Sequence, residues 1–265
     1  MEAKRFFMKS DYPAYWTTKV RSGTYSEGYE KRAVDLLQMA RGKKYLEAGA
    51  GEGRFIPNIR EAGGEYVGLD ISSEMLRKCE ERDPTVSLVV ADTEELPFRD
   101  DTFEGVLCFA TIFFVPNMLK ALKEMGRVSK NVVVEFRNTM NPGVLSVFLK
   151  KSLLDYRRTL IRSMLNIRLV RMLLGGLLRE RSEAIMAEIS RNSQPYYPVS
   201  FLGLARLLAK ANLKVSRIEA YDLDKAKSRK HAEKCAFWGN WVKPALLVQA
   251  VRKTATAEEF SGSGY

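Results

Sequence analysis

Residues 45–55 read YLEAGAGEGRF, an apolar stretch followed by glycines at positions 49, 51 and 53. The apolar start predicts a short β-strand, and the apolar spacing over residues 54–62 predicts a helix. The glycines therefore form a turn between a strand and a helix. Because glycine tolerates positive φ and lets a ligand rest against bare backbone, this stretch predicts the floor of a nucleotide-like binding site.

The spacing of these glycines argues against two common classes of nucleotide-binding turn. A dinucleotide-binding turn has the pattern G-x-G-x-x-G, and counting from Gly49 the sixth position is Arg54. A P-loop is excluded as well, because no Gly-Lys-Ser/Thr follows the glycines.

The chain alternates short runs rich in Val, Leu and Ile with segments of helical periodicity. Such runs are typical of strands buried on both faces, so the fold class is α/β, a doubly wound and mostly parallel sheet between helices. We expect strands at residues 44–48, 66–69, 86–90, 105–109, 132–136, 213–221 and 245–251.

Polar or aromatic residues stand at the ends of the first four predicted strands, and they are Glu47, Asp70, Asp92 and Phe109. Parallel sheets of this type bind ligands at the carboxyl ends of their strands. We therefore expect these four side chains to lie along one rim, although each acid could also be a structural turn or strand-end residue.

Residues 141–197 differ in composition from the rest of the chain. They contain ten basic and four acidic residues, with Leu, Ile and Met at helical spacing between them. We predict a basic amphipathic helical insertion here, within a domain made of residues 1–140 and 198–252. Residues 253–265 are small and polar and predict a flexible tail.

The net charge of +11 favours anionic partners, or else reflects a solvated basic surface. Three widely spaced cysteines and one histidine predict neither a disulfide framework nor a metal site. No apolar run predicts a signal peptide or a membrane span, so the expected location is the cytoplasm. Peripheral contact with the membrane is compatible with that location.

Three further blocks accompany the glycine turn. They are VGLDIS at residues 67–72, ADTEELPF at 91–98 and DTFEGV at 101–106. In order and spacing the four blocks resemble class I S-adenosylmethionine-dependent methyltransferases over roughly residues 40–137. The likeness is to the small-molecule branch that includes the quinone-biosynthesis methyltransferases (methyltransferase type 11-like). It implies a seven-stranded Rossmann-like sheet, with the insertion entering after the fifth strand.

The resemblance implies S-adenosyl-L-methionine as the cofactor. It puts the methionine moiety over the glycines near Glu47, the ribose hydroxyls on Asp70 and the adenine amine on Asp92. The implied cofactor residues are Glu47, Gly49, Ala50, Gly51, Gly53, Asp70, Ile71, Asp92, Thr93, Phe109 and Ala110. Tyr12, Tyr15 and Trp16 precede the core, and comparable family segments fold over the cofactor, so these residues are expected lid contacts or ordinary packing residues.

The sequence says less about catalysis. Methyl transfer is an in-line displacement in which positioning and desolvation supply most of the rate. A general base is needed only if the acceptor must lose a proton. His231, the sole histidine, is a candidate base, but it lies in a charged, surface-like run at residues 229–234.

The acceptor is constrained mainly by exclusion. Residues 109–114 read FATIFF, without the Pro-Pro-aromatic block that base-methylating enzymes carry after the fourth strand. The basic insertion suits a small-molecule or lipid-like acceptor, or docking at an anionic membrane. It could equally be a helical lid or a homodimer interface. An RNA methyltransferase and a non-catalytic cofactor-binding partner subunit remain as alternatives.

Overall fold

The computed structural model describes residues 2–15, 29–137, 199, 201–221 and 245–253. The helices are α1 Glu2–Phe7, α2 Tyr12–Tyr15, α3 Tyr29–Leu36, α4 Ile56–Glu61, α5 Ser73–Arg82, α6 Met118–Val128 and α7 Phe201–Lys210, with a 3₁₀ turn at Ile112–Phe114. The strands are β1 Lys44–Ala48, β2 Glu65–Asp70, β3 Ser87–Val90, β4 Gly105–Cys108, β5 Asn131–Arg137, β6 Leu213–Tyr221 and β7 Ala245–Arg252.

The strands form one seven-stranded sheet in the order β3-β2-β1-β4-β5-β7-β6. Strands β1 to β5 pair in parallel, while β7 is antiparallel to both β5 and β6. The predicted α/β class and mostly parallel sheet are confirmed. The chain builds outward from β1 to β3 and then returns to β4 beside β1, so the strand order reverses between β1 and β4, where sheets of this kind bind ligands.

Both faces of the sheet are covered, as the unbroken apolar runs predict. Leu46 and Val106 point into the core that contains α6 and α7, whereas their neighbours Tyr45 and Leu107 point into the core that contains α3, α4 and α5. Successive side chains on a strand alternate between faces, so each apolar run supplies both cores.

Local signals set where two site-forming helices begin. The Ser72 hydroxyl caps α5 by accepting a hydrogen bond from the backbone N–H of Met75. Helix α4 begins at Ile56 rather than at residue 54, because Gly51 and Gly53 adopt φ values of +55° and +72° and the turn continues past them.

Several predictions lie outside the described residues: the insertion at 141–197, the contacts of Trp16 and His231, and the tail after residue 253. Tyr15 is the last residue of α2. Within the part of the chain that the structure describes, no helix is long and apolar enough to cross a bilayer.

Candidate active site

A cavity of about 490 Å³ opens where the strand order reverses, at the carboxyl ends of β1, β2 and β4. Most of the predicted cofactor residues line it, namely Glu47, Gly49, Ala50, Gly51, Asp70, Ile71, Asp92, Thr93, Phe109 and Ala110. The fold therefore brings together residues from four separate sequence blocks, and their individual contacts with a cofactor stay a prediction.

The glycine turn is fixed to the neighbouring strand. The N–H groups of Gly49 and Ala50 both donate to the carbonyl of Leu69, at 2.7 and 2.8 Å. Gly49 has φ +83°, and a Cβ there would lie 2.2 Å from Oγ1 of Thr111. Only glycine fits at this position, because both the backbone angle and the space exclude a side chain.

Gly53 differs from the prediction. It does not line the cavity, and a Cβ at this position would lie 2.3 Å from Cδ1 of Ile56 and 2.5 Å from Sγ of Cys79. Its place is the base of the turn, where the backbone packs against the side chains of α4 and α5. The motif thus needs this glycine for close packing, while Gly49 and Gly51 border the cavity.

Asp70, at the end of β2, organises the backbone around the cavity. Its Oδ2 accepts a hydrogen bond from the N–H of Gly51, and its Oδ1 accepts one from the N–H of Ser72, both at 2.9 Å. Burial raises the pKa of this carboxyl, and the backbone hydrogen bonds oppose that rise. Each carboxylate oxygen has two lone pairs, so capacity for ligand hydroxyls remains.

Glu47 is a buried acid on the cavity floor, with only 2% of its surface exposed. Its Oε2 accepts a 2.6 Å hydrogen bond from the hydroxyl of Tyr66 on the adjacent strand. Burial raises the pKa of Glu47 to about 8, although the Tyr66 hydrogen bond and the charge of Arg54 lower it. A ligand cation here would favour the charged form of this carboxyl.

The third strand end contains an ion cluster that sequence reasoning missed. The ammonium of Lys4 in α1 bonds to Oδ2 of Asp92 and lies 3.0 Å from Oε2 of Glu94. Although partial burial opposes it, these two carboxylates raise the pKa of Lys4. The contact joins residues 88 positions apart, and no periodicity or spacing in the sequence could have indicated it.

Aromatic side chains form another wall of the cavity. Phe7 and Phe114 both line it, with ring centroids 5.5 Å apart, and Phe7 lies 5.2 Å from Tyr12 in a T-shaped contact. Tyr12 therefore borders the cavity, and its role as a lid contact stays a prediction. The N-terminal helices close this side of the site and leave an apolar surface facing inward.

The turn after β4 is held in an unusual conformation. Ala110 has φ +51°, and its N–H donates a 2.8 Å hydrogen bond to Oε2 of Glu135, which is fully buried on β5. The Thr111 hydroxyl donates to the carbonyl of Phe109 at 2.9 Å. These bonds fix the backbone that presents Phe109 to the cavity.

Arg54 is a second residue that the sequence did not single out as functional. It lines the cavity, pairs with Glu30 at the start of α3 and lies over the ring of Phe109. Its place directly after Gly53 is the one signal that could have indicated a position beside the ligand.

Comparison with known proteins agrees with this geometry. Residues 46–132 match a family model described as a methyltransferase domain. These residues form a class I S-adenosylmethionine-dependent methyltransferase domain. The matched range extends from β1 into β5 and so contains the glycine turn and every strand end that borders the cavity. The cofactor of such a domain is S-adenosylmethionine.

The domain is similar to a demethylmenaquinone methyltransferase of Corynebacterium urealyticum, with 33% identity over 124 residues, covering 45% of this chain and 53% of that protein. A demethylmenaquinone methyltransferase of Staphylococcus carnosus is 34% identical over 108 residues, or 38% of this chain and 45% of that protein. The chain thus spans about half the length of the curated relatives it matches.

A solved structure supports the fold of the methyltransferase domain. The magnesium protoporphyrin IX methyltransferase of Synechocystis PCC 6803, with bound SAH, has a TM-score of 0.56 at 12% identity, covering 95% of this chain and 98% of that one. At this identity the likeness concerns the fold alone.

Proposed function

We propose that this chain is an enzyme that transfers a methyl group from S-adenosylmethionine to a small-molecule or lipid-like acceptor. One observation carries the proposal: a single cavity is lined both by the strand-end acids Glu47, Asp70 and Asp92 and by an apolar wall. The acids suit the cofactor, and the apolar wall suits an acceptor beside it.

The acceptor groups that line the cavity fit the hydrogen-bond donors of the cofactor. S-adenosylmethionine offers an ammonium, two ribose hydroxyls and an exocyclic amine, all hydrogen-bond donors, and ionised carboxylates are pure acceptors. Three carboxyl groups spaced along one rim therefore match three donor positions along one ligand. When bound, the cofactor supplies an electrophilic methyl group on a sulfonium.

The chain's own part in the reaction is positioning and exclusion of water. Phe109 and the Ala110 backbone stand at the end of β4, held by Glu135, on the wall proposed to face the methyl group. Phe7 and Phe114 cover that region with apolar surface. A dry site that holds acceptor and methyl group in line lowers the barrier without a covalent intermediate.

Two features support an apolar acceptor. Beyond Phe7 and Phe114, the cavity wall continues with Val115 and Pro116. Two similar curated relatives are named demethylmenaquinone methyltransferases, and demethylmenaquinone is a quinone. The basic insertion at 141–197 is proposed to cover this acceptor or to contact anionic lipid headgroups.

The test is transfer of tritiated methyl groups from S-adenosylmethionine into lipid, small-metabolite and RNA fractions of the source cell. We expect label in the lipid or small-metabolite fraction, and less label with an Asp70→Ala variant at the same subsaturating cofactor concentration. Label confined to RNA would establish the RNA methyltransferase instead. Cofactor binding without transfer to any fraction, together with co-purification of a second chain, would indicate a non-catalytic partner subunit.

Membrane contact has a separate test. Binding to vesicles of anionic phospholipid should fall as salt concentration rises and should be lost when residues 144–192 are deleted. Absence of binding at low salt would exclude the membrane part of the proposal and leave the enzyme assignment untouched.

A further inference from the structure

Arg54 connects three separate elements at the cavity. Its guanidinium lies 2.5 Å from Oε1 of Glu30 at the start of α3, and its Cζ lies 5.3 Å from the ring centroid of Phe109 after β4. The residue itself belongs to the turn after β1. A single side chain thus ties the helix before the sheet to the two strand ends that border the site.

The ring of Phe109 is held between two neighbours. It is 4% exposed, and the Phe55 ring packs against it edge to face at a centroid distance of 5.2 Å. The guanidinium of Arg54 lies over the ring. A planar guanidinium stacks on an aromatic face in a way that a lysine ammonium does not, so the position of the ring depends on the kind of cation present.

The charge of Arg54 also acts on Glu47. Besides Arg54, the titratable groups that interact with this carboxyl are Tyr66 and Asp70 of β2, Cys79 of α5 and Cys108 of β4. Burial and the negative charge of Asp70 favour the neutral acid. The Tyr66 hydroxyl, the backbone N–H of Phe55 and the charge of Arg54 favour the carboxylate. Removing the arginine therefore shifts Glu47 toward its neutral form.

We propose that Arg54 is a positioning residue of the methyl-transfer site: its guanidinium fixes the Phe109 ring at the cavity wall, and its positive charge favours ionisation of Glu47 when the ammonium group of the cofactor binds. This proposal rests on the proposed function, because the effects of Arg54 on Phe109 and Glu47 serve methyl transfer only if the cavity binds S-adenosylmethionine. Arg54 acts through its neighbours and needs no contact with the reacting atoms.

The effect of the Arg54 charge on Glu47 is tested by calorimetric titration of S-adenosylhomocysteine at a series of pH values. In the wild type, affinity should rise as Glu47 ionises. Arg54→Met should move the midpoint of that rise upward by at least about half a pH unit, while Arg54→Lys should leave it in place. Arg60→Met removes the same charge from α4 outside the cavity, where Arg60 pairs with Asp83, and should also leave it in place.

Methylthioadenosine separates this role from a purely structural one, because it carries the nucleoside without the ammonium and carboxylate. Its affinity should show no Arg54-dependent change with pH. An equal loss for both ligands at every pH, or an unchanged midpoint in Arg54→Met, would overturn the proposal. If S-adenosylhomocysteine does not bind the wild type at all, the proposed function itself fails, which is a distinct result.

The effect of Arg54 on the Phe109 ring is tested by the binding preference for S-adenosylmethionine over S-adenosylhomocysteine. The first carries a sulfonium charge that an aromatic face stabilises, and the second does not. Arg54→Lys should lower this preference by about twofold, toward the value of a Phe109→Leu variant. An unchanged preference in Arg54→Lys would contradict the assigned role in placing the ring.

Discussion

The hydroxyl of Tyr66 donates a 2.6 Å hydrogen bond to Oε2 of Glu47, and both side chains lie inside the domain on adjacent strands. A buried acid next to a phenol is costly for an empty domain, since burial favours its neutral form. The same acid becomes useful once a cation binds beside it. The Tyr66–Glu47 pair therefore links stability of the empty protein to ligand binding.

This linkage predicts a pH-dependent effect of Glu47→Gln. The pKa of Glu47 is raised from its ordinary value to about 8 in the folded protein, so over that range the native state holds a proton that the unfolded chain has lost. Stability of the wild type should therefore fall as pH rises from about 5 to 8. Without cofactor, the melting temperature of Glu47→Gln should exceed that of the wild type by a margin that grows across this window.

Thermal unfolding measured at several pH values checks this prediction. Glu65→Gln, which changes an exposed carboxyl on β2, is the matched control and should show no growing margin. A constant difference between Glu47→Gln and the wild type at all pH values would mean that Glu47 titrates normally.

The glycine turn gives a second prediction, on stability. Gly42→Ala and Gly49→Ala both force alanine into positive φ, but a Cβ at Gly42 meets no atom within 4 Å, whereas one at Gly49 meets Thr111. Gly42→Ala should cost about 1 kcal/mol from backbone strain alone. Gly49→Ala should cost at least about 2 kcal/mol more, because the overlap must be relieved by moving backbone.

Denaturant unfolding of a double-mutant cycle isolates the contact with Thr111. In a Thr111→Gly background, the penalty of Gly49→Ala should drop to about that of Gly42→Ala. Equal penalties for Gly49→Ala in both backgrounds would show that the side chain of Thr111 does not set the requirement for glycine.

The ion cluster at Lys4 predicts an effect on ligand release. The side chains of Lys4 and Asp92 are each roughly a quarter exposed. Their ion pair therefore holds α1 to the cavity only weakly, and salt weakens it further. Lys4→Met should speed dissociation of S-adenosylhomocysteine about two- to fivefold, because the N-terminal helices then leave the cavity more readily. Arg5→Gln removes a charge from the same helix at an exposed position and should change little.

Stopped-flow dissociation at low and high salt measures this effect. The wild type should approach Lys4→Met as salt rises, while Lys4→Met itself should depend weakly on salt. Slower release from Lys4→Met would contradict this role of the ion pair and indicate instead that Lys4 competes with the cofactor amine for Asp92.

Much of the fold could be predicted because its signals are local. The strand at 213–221 coincides with β6, and the predicted acids stand at the strand ends. The start of α4 was placed two residues early, because positive φ at the glycines prolongs the turn and helical periodicity does not reveal it. The antiparallel insertion of β7 between β5 and β6 also has no local signal.

The site was predictable only in part, for a similar reason. Glu47 and Asp70 lie at the ends of predicted strands and Asp92 just after one, so their common rim follows from topology. Lys4 and Arg54 reach the cavity through contacts between distant segments, with Asp92 and with Glu30 and Phe109. Gly53 carries the motif's pattern but serves packing, which spacing alone does not distinguish from ligand contact.

Asp70 gives the most direct test of the central claim, that this cavity is the S-adenosylmethionine site. Calorimetry should show S-adenosylhomocysteine binding to the wild type, with a loss of at least about 1.5 kcal/mol, or roughly tenfold, in Asp70→Ala. Asp70→Asn should retain a carbonyl for one of the backbone N–H groups and still bind weakly, while the exposed control Asp35→Ala should bind as the wild type does. An Asp70→Ala variant that folds and binds with wild-type affinity, or a wild type that binds nothing at about millimolar ligand, would contradict the account.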